Sequence, residues 1–479
     1  MACAPSAAKH TLRAALFVVG VLTVAIVMRA FSFLADAGAI GAGYAAKQLC
    51  SGVFVAQLPA RFVMDTDVLP RLATVGPMPM FLDYDIDMTA RHVSASMLGQ
   101  SMIAQFRPNF GCTLTDDGTL EGQSPMQQAD TLSQYDASAL PTSKIGEPET
   151  TEEHQSVFLS AGVTSPLTAV INDAFAEPAH GGRNTLAVIV MHRGELVAER
   201  YQAPVAATNP MQGWSMNKSL MATFIGYQID AGQLSLDDSV REMLQREGFS
   251  EKKLNQIAPN LSLEHLLSMS SGFDFSERYL PGDDVTAMLY QHGAMGYSAP
   301  LTGHINEPGK EFAYSSGDIN TAAMMWQQSL GSEPYTDWVA HNFIAPLGLH
   351  KMVLEPDASG VQVGSSYAYL TARDWALMGQ LWLDAWHGRS ALISQAWQRK
   401  AVKPGTANNG EIYGLGFWLN TGQRRFPNAP ESTFYAGGNS GQFVVVMPEQ
   451  ELVIVRLGLT LDESQAKMDQ LLKAVLSIF

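Results

Sequence analysis

Short apolar runs typical of strands occur in two separated regions of this chain, and the hydrophobic positions between them follow a helical period. Residues 186–201 (LAVIVMHRGELVAERY) predict two strands joined by a tight turn at His192–Glu195. Near the C-terminus, STFYAGG, QFVVVMP and ELVIVRLG predict strands, followed by an amphipathic helix. Residues 235 to about 400 are mainly helical in pattern. We therefore expect an α/β (α+β) fold in which one antiparallel β-sheet, built from distant segments, is flanked by helices and carries an inserted helical subdomain.

The N-terminal region contains an uncharged apolar run from Ala14 to Met28 behind a positively charged flank. This run is short for a bilayer span of about 20 residues. If Arg29 snorkels toward the far interface, a single span over residues 14–35 results. One alternative is a cleaved signal peptide with an A-x-A-like site at Ala35-Asp36-Ala37, and another is a buried core helix. The first two interpretations predict export to the periplasmic or extracytoplasmic face, and the span would tether the chain to the inner membrane.

Changes in composition divide the chain into four parts. A small-residue stretch at 35–47 (ADAGAIGAGYAAK) reads as a spacer, and strand-like pieces such as VSASML, IAQFR and GCTLT follow it. Apolar content then falls sharply, and Asp, Glu, Ser, Thr, Pro and Gln dominate as in a surface linker. The predicted parts are an anchor or signal segment with spacer at 1–44, a small module at 45–115, a linker at 116–155 and the main domain at 156–479.

Two of the three cysteines, Cys50 and Cys112, lie after the apolar run. Export favours a disulfide between them, which would staple the small module and stabilise it by ~4 kcal/mol in the chain-entropy model. Two unrelated buried thiols are the alternative, because the sequence alone does not give the distance between the two Cα atoms.

The formal net charge of −16 argues against a nucleic acid as partner, because binding to a phosphate backbone depends on clustered Lys and Arg. The sequence has no such run, and it lacks the H-E-x-x-H, C-x-x-C, G-x-S-x-G and G-x-x-x-x-G-K-[ST] motifs. The 11 His are scattered without the spacing of metal ligands. The sequence therefore predicts neither a metal nor a cofactor, and it leaves the oligomeric state open.

The spacing S-x-x-K occurs four times, starting at Ser6, Ser215, Ser250 and Ser464, and its context singles out Ser215. Ser215 follows a strand-rich segment and leads an apolar helical stretch (SLMATFIGYQI), whereas the other copies lie in polar or N-terminal stretches. On a helix, Lys218 would lie on the same face as Ser215, and burial would lower the pKa of Lys218 so that it can accept the serine proton. The alternative is that Ser215 is only a helix N-cap.

Two further segments carry candidate chemistry. FAYSSGD places Tyr314 and Ser316 in a small-residue loop, where a tyrosine can carry protons and a serine can exchange hydrogen bonds. A turn with a packing tyrosine is the alternative. GGNSGQFVVVMP puts a glycine-rich strand before a hydrophobic one, which permits the close backbone approach that an oxyanion-hole strand needs. A β-bulge is the alternative there.

The order SMNK, YSS about a hundred residues later and a glycine-flanked N-S-G before a C-terminal hairpin and helix resembles the penicillin-recognising serine hydrolases. That family includes class C β-lactamases, D-Ala-D-Ala peptidases, family VIII carboxylesterases and aminohexanoate-oligomer hydrolases. The segments HRGELVAERY, LEHLLSMSSG, EPGKEFAYSSGD, GSSYAYLTARDWALMG and YGLGFWLN are also similar, so the resemblance covers about residues 160–479. It implies a β-lactamase/transpeptidase-like fold and hydrolysis through an acyl-enzyme. The leader, with CSGVF and GCTL, resembles a membrane-associated branch of the same group.

Carried over by position, the resemblance implies roles for single residues. Ser215 is expected to be the nucleophile, with Lys218 as its proton partner. Tyr314 is expected to be the shared general base and acid. The backbone amides of Ser215 and Gln442 are expected to form the oxyanion hole.

The second and third motifs depart from the family. Ser316 stands where β-lactamases and peptidases usually have Asn, and the substrate-binding triplet Asn439-Ser440-Gly441 begins with Asn where they have Lys or His. A cation there would bind a substrate carboxylate, and neutral Asn439 does so only weakly. We therefore expect hydrolysis of a small ester or linear amide; D-Ala-D-Ala peptidase or β-lactamase activity, and a non-catalytic peptidoglycan- or partner-binding module, are the alternatives. The residues expected to shape the pocket with the helical block are Tyr279, Tyr290 and Trp418.

Overall fold

The computed structural model describes residues 6–115, 158–159, 165–291 and 293–479, so the whole linker predicted at 116–155 lies outside the described residues. The strands are β1 (Leu82–Asp87), β2 (His92–Met97), β3 (Gln100–Arg107), β4 (Gly111–Thr115), β5 (Phe158–Leu159), β6 (Thr185–His192), β7 (Glu195–Tyr201), β8 (Met211–Gln212), β9 (Met352–Leu354), β10 (Ala368–Leu370), β11 (Trp418–Leu419), β12 (Phe434–Gly438), β13 (Gln442–Met447) and β14 (Leu452–Gly458).

The helices are α1 (Ser6–Cys50), α2 (Ala60–Val63), α3 (Leu69–Ala73), α4 (Ser165–Ala174), α5 (Asn217–Asp230), α6 (Val240–Arg246), α7 (Glu251–Leu254), α8 (Leu263–Leu267), α9 (Asp284–Gln291), α10 (Ser316–Ser329), α11 (Tyr335–Val339), α12 (Ala345–Leu347), α13 (Ala372–His387), α14 (Gln395–Ala401) and α15 (Met468–Leu476). Helices α5 to α12 lie in sequence between β8 and β9, as the prediction of an inserted helical block requires.

The largest sheet among the described residues has seven antiparallel strands in the order β11-β12-β13-β14-β6-β7-β5. Strands β6, β13 and β14 are rich in Val and buried almost throughout, as expected of strands covered on both faces. Val455 of β14 pairs with Ile189 of β6, so the two ends of the main domain lie side by side. The prediction of one antiparallel sheet built from distant segments is confirmed.

Helices cover both faces of this sheet. Helix α13 lies on one face, where Gly379 lets the helix approach closely, since a Cβ at that position would be 2.5 Å from the Val453 side chain. Helices α4 and α15 pack on the opposite face through apolar side chains such as Leu167 and Leu472. The sheet is therefore the central layer of the main domain, and its strand β12 contacts α5 and the turn that precedes this helix.

Helix α1 continues through the stretch predicted as a spacer and enters the protein core. Its second half is largely buried against β2, β3 and α9. A Cβ on Gly41 would lie 1.8 Å from Met97 Cε, and one on Gly43 would lie 2.3 Å from the carbonyl oxygen of Tyr290. The spacer prediction for residues 35–47 is therefore wrong. Small residues suit a flexible linker and a tight helix contact equally well, and here they serve the contact.

The first half of α1 exposes apolar side chains, among them Phe17 and Phe31. Within the described residues, no helix is both long and apolar enough to cross a membrane, so the span predicted over 14–35 is not supported. The domain boundary predicted after residue 44 falls inside α1. Export of the chain stays a prediction.

Cys50 and Cys112 form the predicted disulfide, with their Cα atoms 6.0 Å apart, and they join the end of α1 to β4. Next to this bridge, Lys47 forms a buried ion pair with Glu355. The amide of Cys112 also donates to Glu355 Oε1 at 2.7 Å. The amino-terminal region, residues 6–115, therefore shares a polar buried contact and a continuous apolar core with the main domain.

Candidate active site

Ser215 lies on a short 3-10 turn, Trp214–Met216, that leads directly into α5. Trp214 has a left-handed φ of 50°, and a Cβ on Gly213 would be 2.2 Å from the Trp375 ring. This closely packed turn places Ser215 at the beginning of the helix, where its side chain is partly exposed in the wall of a cavity. The helix N-terminus favours negative charge that develops at this position.

Lys218 follows one turn later and is only 1% exposed. Its Nζ donates to Ser215 Oγ at 3.0 Å, to Ser316 Oγ at 3.0 Å and to the carbonyl oxygen of Ser365 at 3.2 Å. Burial lowers the pKa of Lys218 to about 8, and the Glu277 carboxylate partly opposes this shift. A neutral amine beside the serine hydroxyl is therefore accessible near neutral pH, as a general base requires.

Ser316 connects Lys218 to Glu277, a residue that the sequence analysis missed. Ser316 is the first residue of α10, and its Oγ donates to Glu277 Oε1 at 2.5 Å while its amide donates to Oε2 at 2.8 Å. Burial raises the pKa of Glu277, and the Lys218 ammonium opposes that rise. The segment FDFSERYL around Glu277 contains no motif, so only its contacts show that it belongs to the site.

Tyr314 lies at the same site. Its hydroxyl is hydrogen-bonded to Ser215, its ring stacks on Trp418 with centroids 5.1 Å apart, and Lys218 Nζ lies 4.8 Å from its ring centroid. Burial raises the pKa of Tyr314 well above its ordinary value, and the hydrogen bond with Ser215 opposes that rise. The phenol is therefore neutral before the reaction, so Lys218 is better suited than Tyr314 to accept the first proton.

The glycine-rich strand is β12, and it ends one residue before the predicted triplet Asn439-Ser440-Gly441. Gly437 and Gly438 line the cavity together with Ser215. A Cβ on Gly438 would lie 2.1 Å from the carbonyl oxygen of Gly213, so glycine is needed for β12 to approach the turn that carries Ser215. Of the triplet, Asn439 lines the cavity, while Ser440 and Gly441 complete the turn into β13 with φ of 64° and 75°.

Gln442 lies on β13, whereas the strand beside Ser215 is β12. Gln442 is therefore one strand away from the position expected of an oxyanion-hole residue. It begins β13, its Nε2 donates to the carbonyl oxygen of Gly458, and its Oε1 accepts from the Gly458 amide at 3.0 Å. Strand β11 pairs with the first two residues of β12, Phe434 and Tyr435, and not with its Gly437–Gly438 end. The Gly437–Gly438 edge of β12 therefore lies beside Ser215, a neighbour relation that the motif in the sequence does not contain.

The cavity in front of Ser215 has a volume of about 720 Å³ and a wall with many aromatic side chains. Tyr279 and Trp418 line it as predicted, whereas Tyr290 lines a neighbouring cavity of about 120 Å³ that also contacts Tyr279. A volume of this size suits a small-molecule substrate. Within the described residues, no group of three or more His, Cys, Asp or Glu is placed to hold a metal ion.

Arg71 of α3 also lines this cavity, and the sequence analysis missed it. Its Nη2 donates to Asn439 Oδ1 at 3.1 Å and to Ser440 Oγ at 2.8 Å. The guanidinium thus reaches the third motif from the amino-terminal region, 368 residues earlier in the chain than Asn439. The surrounding sequence, DVLPRLA, has no feature that marks Arg71 as a site residue.

Comparison with known proteins agrees with this geometry. Residues 171–475 match the family described as Beta-lactamase. A 6-aminohexanoate-dimer hydrolase from Paenarthrobacter ureafaciens is 25% identical over 297 residues, which cover 57% of this chain and 72% of the relative. Penicillin-binding protein 4 from Amycolatopsis lactamdurans is 29% identical over 191 residues, which cover 39% of this chain and 46% of the relative. The chain therefore spans less than half the length of that second relative.

A solved structure shows the fold independently of sequence similarity. A novel penicillin-binding protein homologue from Caulobacter crescentus superposes with a TM-score of 0.51 at 15% identity, covering 68% of this chain and 100% of that chain. At this identity the likeness shows the fold alone, a β-lactamase/transpeptidase-like arrangement of antiparallel sheets and helices. Together with the family match, it confirms the predicted resemblance to the penicillin-recognising serine hydrolases.

Proposed function

The chain belongs to the beta-lactamase family, and on that premise we propose that it is a serine hydrolase that cleaves an ester or a linear amide through an acyl-enzyme on Ser215. The observation that carries the proposal is the 3.0 Å contact between Lys218 Nζ and Ser215 Oγ in the wall of the 720 Å³ cavity. Linear amides are supported by the relative named 6-aminohexanoate-dimer hydrolase, since such a dimer contains a linear amide bond.

In the proposed reaction, neutral Lys218 accepts the hydroxyl proton of Ser215 while Oγ bonds to the substrate carbonyl carbon. The amide of Ser215 and an amide at the Gly437–Gly438 edge of β12 stabilise the oxyanion. The proton held by Lys218 is returned through Tyr314 to the leaving alcohol or amine as its bond to the carbonyl carbon breaks. Water then attacks the acyl-enzyme while Lys218 accepts one of its protons, and Lys218 returns this proton to Ser215 Oγ as the bond between Oγ and the carbonyl carbon breaks and the acid is released.

Labelling of the full chain with a fluorophosphonate, followed by intact-mass measurement, tests the nucleophile. We expect one adduct and turnover of 4-nitrophenyl butyrate in the wild type, and loss of both in Ser215→Ala, with an unchanged melting temperature as the check on folding. Ser250→Ala is the matched control, because Ser250 and Lys253 have the same S-x-x-K spacing but are exposed on the surface. This control should keep the adduct and the turnover.

An adduct that persists in Ser215→Ala would place the reactive nucleophile elsewhere and refute the proposal. A folded wild type with neither adduct nor turnover would favour the non-catalytic binding module instead. Peptidoglycan fragments would then be tested as ligands of the same cavity.

A further inference from the structure

The amino-terminal region contributes a positive charge to the cavity in front of the nucleophile. The Arg71 guanidinium lines both this cavity and the smaller one beside it. Its Nη2 donates to the side-chain oxygens of Asn439 and Ser440, which are both neutral acceptors. A charged donor forms a stronger hydrogen bond with a carboxylate than with neutral acceptors such as these.

Arg71 is held in its charged form without a direct ion pair. Burial would lower the pKa of Arg71, but Tyr44 and Asp67 raise it above its ordinary value. The two Asp67 oxygens accept hydrogen bonds from Tyr44 at 2.5 Å and from Gln48 at 2.9 Å. Among the described residues, the ion pairs within 4.0 Å do not include Arg71. The nearby Asp67 carboxylate and a hydrogen bond with Tyr44 therefore support its charge, and no carboxylate of the described residues forms a direct ion pair with it.

The two other arginines that line the cavity are already paired. Arg424 forms an ion pair with Glu411 at 2.5 Å, and Arg425 forms one with Glu463. Both pairs are partly exposed to solvent, where water weakens their interaction with a substrate charge. Within the described part of the cavity wall, Arg71 is therefore the cation best placed to meet an anionic group.

We propose that Arg71 is a substrate-binding residue that selects esters or amides carrying a carboxylate, an inference that rests on the proposed hydrolase function. The neutral Asn439 weakens the case for carboxylate recognition when the sequence is considered alone. The structure places a guanidinium on that same residue, and a guanidinium matches the two oxygens of a carboxylate better than an ammonium does.

The shape of the cavity defines the substrate further. The aromatic rings of Tyr314, Trp418 and Tyr435 line the same cavity as Arg71 and Ser215. A short apolar chain suits this wall, with the carboxylate at Arg71 and the reacting carbonyl at Ser215. The carboxylate belongs either to the acyl group or to the leaving group, and the experiment distinguishes these two arrangements.

Two matched pairs of esters test the inference. The first pair is the 4-nitrophenyl half-ester of glutarate and its glutaramate counterpart, in which a carboxamide replaces the carboxylate on the acyl side. The second pair is 4-acetoxybenzoate and 4-acetoxybenzamide, which make the same change on the leaving group. The readout is the ratio of kcat/KM for the charged ester to kcat/KM for the neutral ester, after correction for spontaneous hydrolysis.

We expect the wild type to prefer the carboxylate about 10- to 100-fold in one of the two pairs, the range of a charge-assisted hydrogen bond. Arg71→Met should reduce this ratio to about one, and Arg71→Lys should keep part of it, since the positive charge stays while the planar fork is lost. Arg61→Met is the matched control, because Arg61 belongs to the same region but its side chain is 92% exposed. It should leave the ratio unchanged.

A wild-type ratio near one in both pairs, or an unchanged ratio in Arg71→Met, would overturn the inference. A ratio lost in Arg425→Met but kept in Arg71→Met would assign the carboxylate to a different arginine and overturn it as well. Calorimetry of glutarate binding to Ser215→Ala provides a readout without turnover, with weaker binding expected when Arg71→Lys is added. A wild type that binds glutarate but never labels with fluorophosphonate would contradict the hydrolase and not the carboxylate site.

Discussion

Among the described residues, Lys47 and Lys218 are the two lysines that are almost completely buried, and their surroundings differ. Lys47 of the amino-terminal region is 1% exposed, forms an ion pair with Glu355 and lies 4.0 Å from the centroid of the Tyr367 ring. Lys218 is also 1% exposed, but its three hydrogen-bond partners are two serine hydroxyls and a backbone carbonyl. Burial lowers the pKa of both lysines, and a carboxylate in direct contact opposes the shift for Lys47.

The comparison shows that burial of a lysine does not by itself indicate catalysis. An ammonium in contact with a buried carboxylate keeps its proton, because losing this proton would leave the carboxylate buried without a counter-charge. An ammonium that donates to hydroxyls can lose a proton to solvent, and the resulting neutral amine can then accept a proton from a serine. Under the proposed function, Lys47 therefore has a structural role and Lys218 a chemical role.

Lys218→Met should have the largest effect on activity. The substitution keeps most of the buried volume but removes the amine, so kcat/KM for 4-nitrophenyl butyrate should fall about 10³-fold. The melting temperature should change less than in Lys47→Met. Lys253→Met, from the exposed copy of the S-x-x-K spacing, is the control and should keep full activity. More than a tenth of the wild-type activity in Lys218→Met would exclude this amine as the general base.

Lys47→Met should lower stability rather than chemistry. The change leaves Glu355 buried without its cation, so the free energy of unfolding in urea should fall by about 3–5 kcal/mol. Adding Glu355→Gln should restore part of the loss, because both buried charges are then absent. A loss below about 1 kcal/mol in the single variant would mean that the ion pair does not join the two regions energetically.

Removal of the disulfide tests how a covalent bond, instead of an ion pair, stabilises the amino-terminal region. Cys50 and Cys112 are 62 residues apart in the chain, and the bridge restricts the unfolded ensemble of that loop. The Cys50→Ser/Cys112→Ser variant should lose about 2–4 kcal/mol of unfolding free energy. Activity per folded molecule should be unchanged at low temperature. An unchanged urea midpoint would show that the bridge adds little to the contact already made by α1.

The smallest expected effect concerns the pH profile. Lys218 acts as a base only when neutral, so kcat/KM should rise with pH through about 8 and then level off. The negative charge of Glu277 raises the pKa of Lys218, so Glu277→Gln should move the rising limb to lower pH. Asp274→Asn, exposed in the same loop, is the control. A limb that stays in place or moves to higher pH would contradict a role for Glu277 through Lys218.

The elements that were predicted correctly depend on short-range patterns. The hairpin β6–β7 has two apolar runs on either side of a two-residue turn at Arg193–Gly194, and α5 has an apolar helical pattern followed by Gly232 with a φ of 71°. The stretch at 35–47 was predicted wrongly because its small residues fit two opposite structures, and only the packing of α1 on its neighbours decides between them.

The sequence by itself determined the Ser215–Lys218 pair, because residues three apart on a helix always share a face. It also determined the family, through motifs that lie in a fixed order. The tertiary structure decided that Arg71 and Glu277 lie at the candidate site, and that the Gly437–Gly438 end of β12 lies beside the turn that carries Ser215. These contacts join segments tens to hundreds of residues apart. Neither periodicity nor spacing records such contacts, since they arise only when the chain packs.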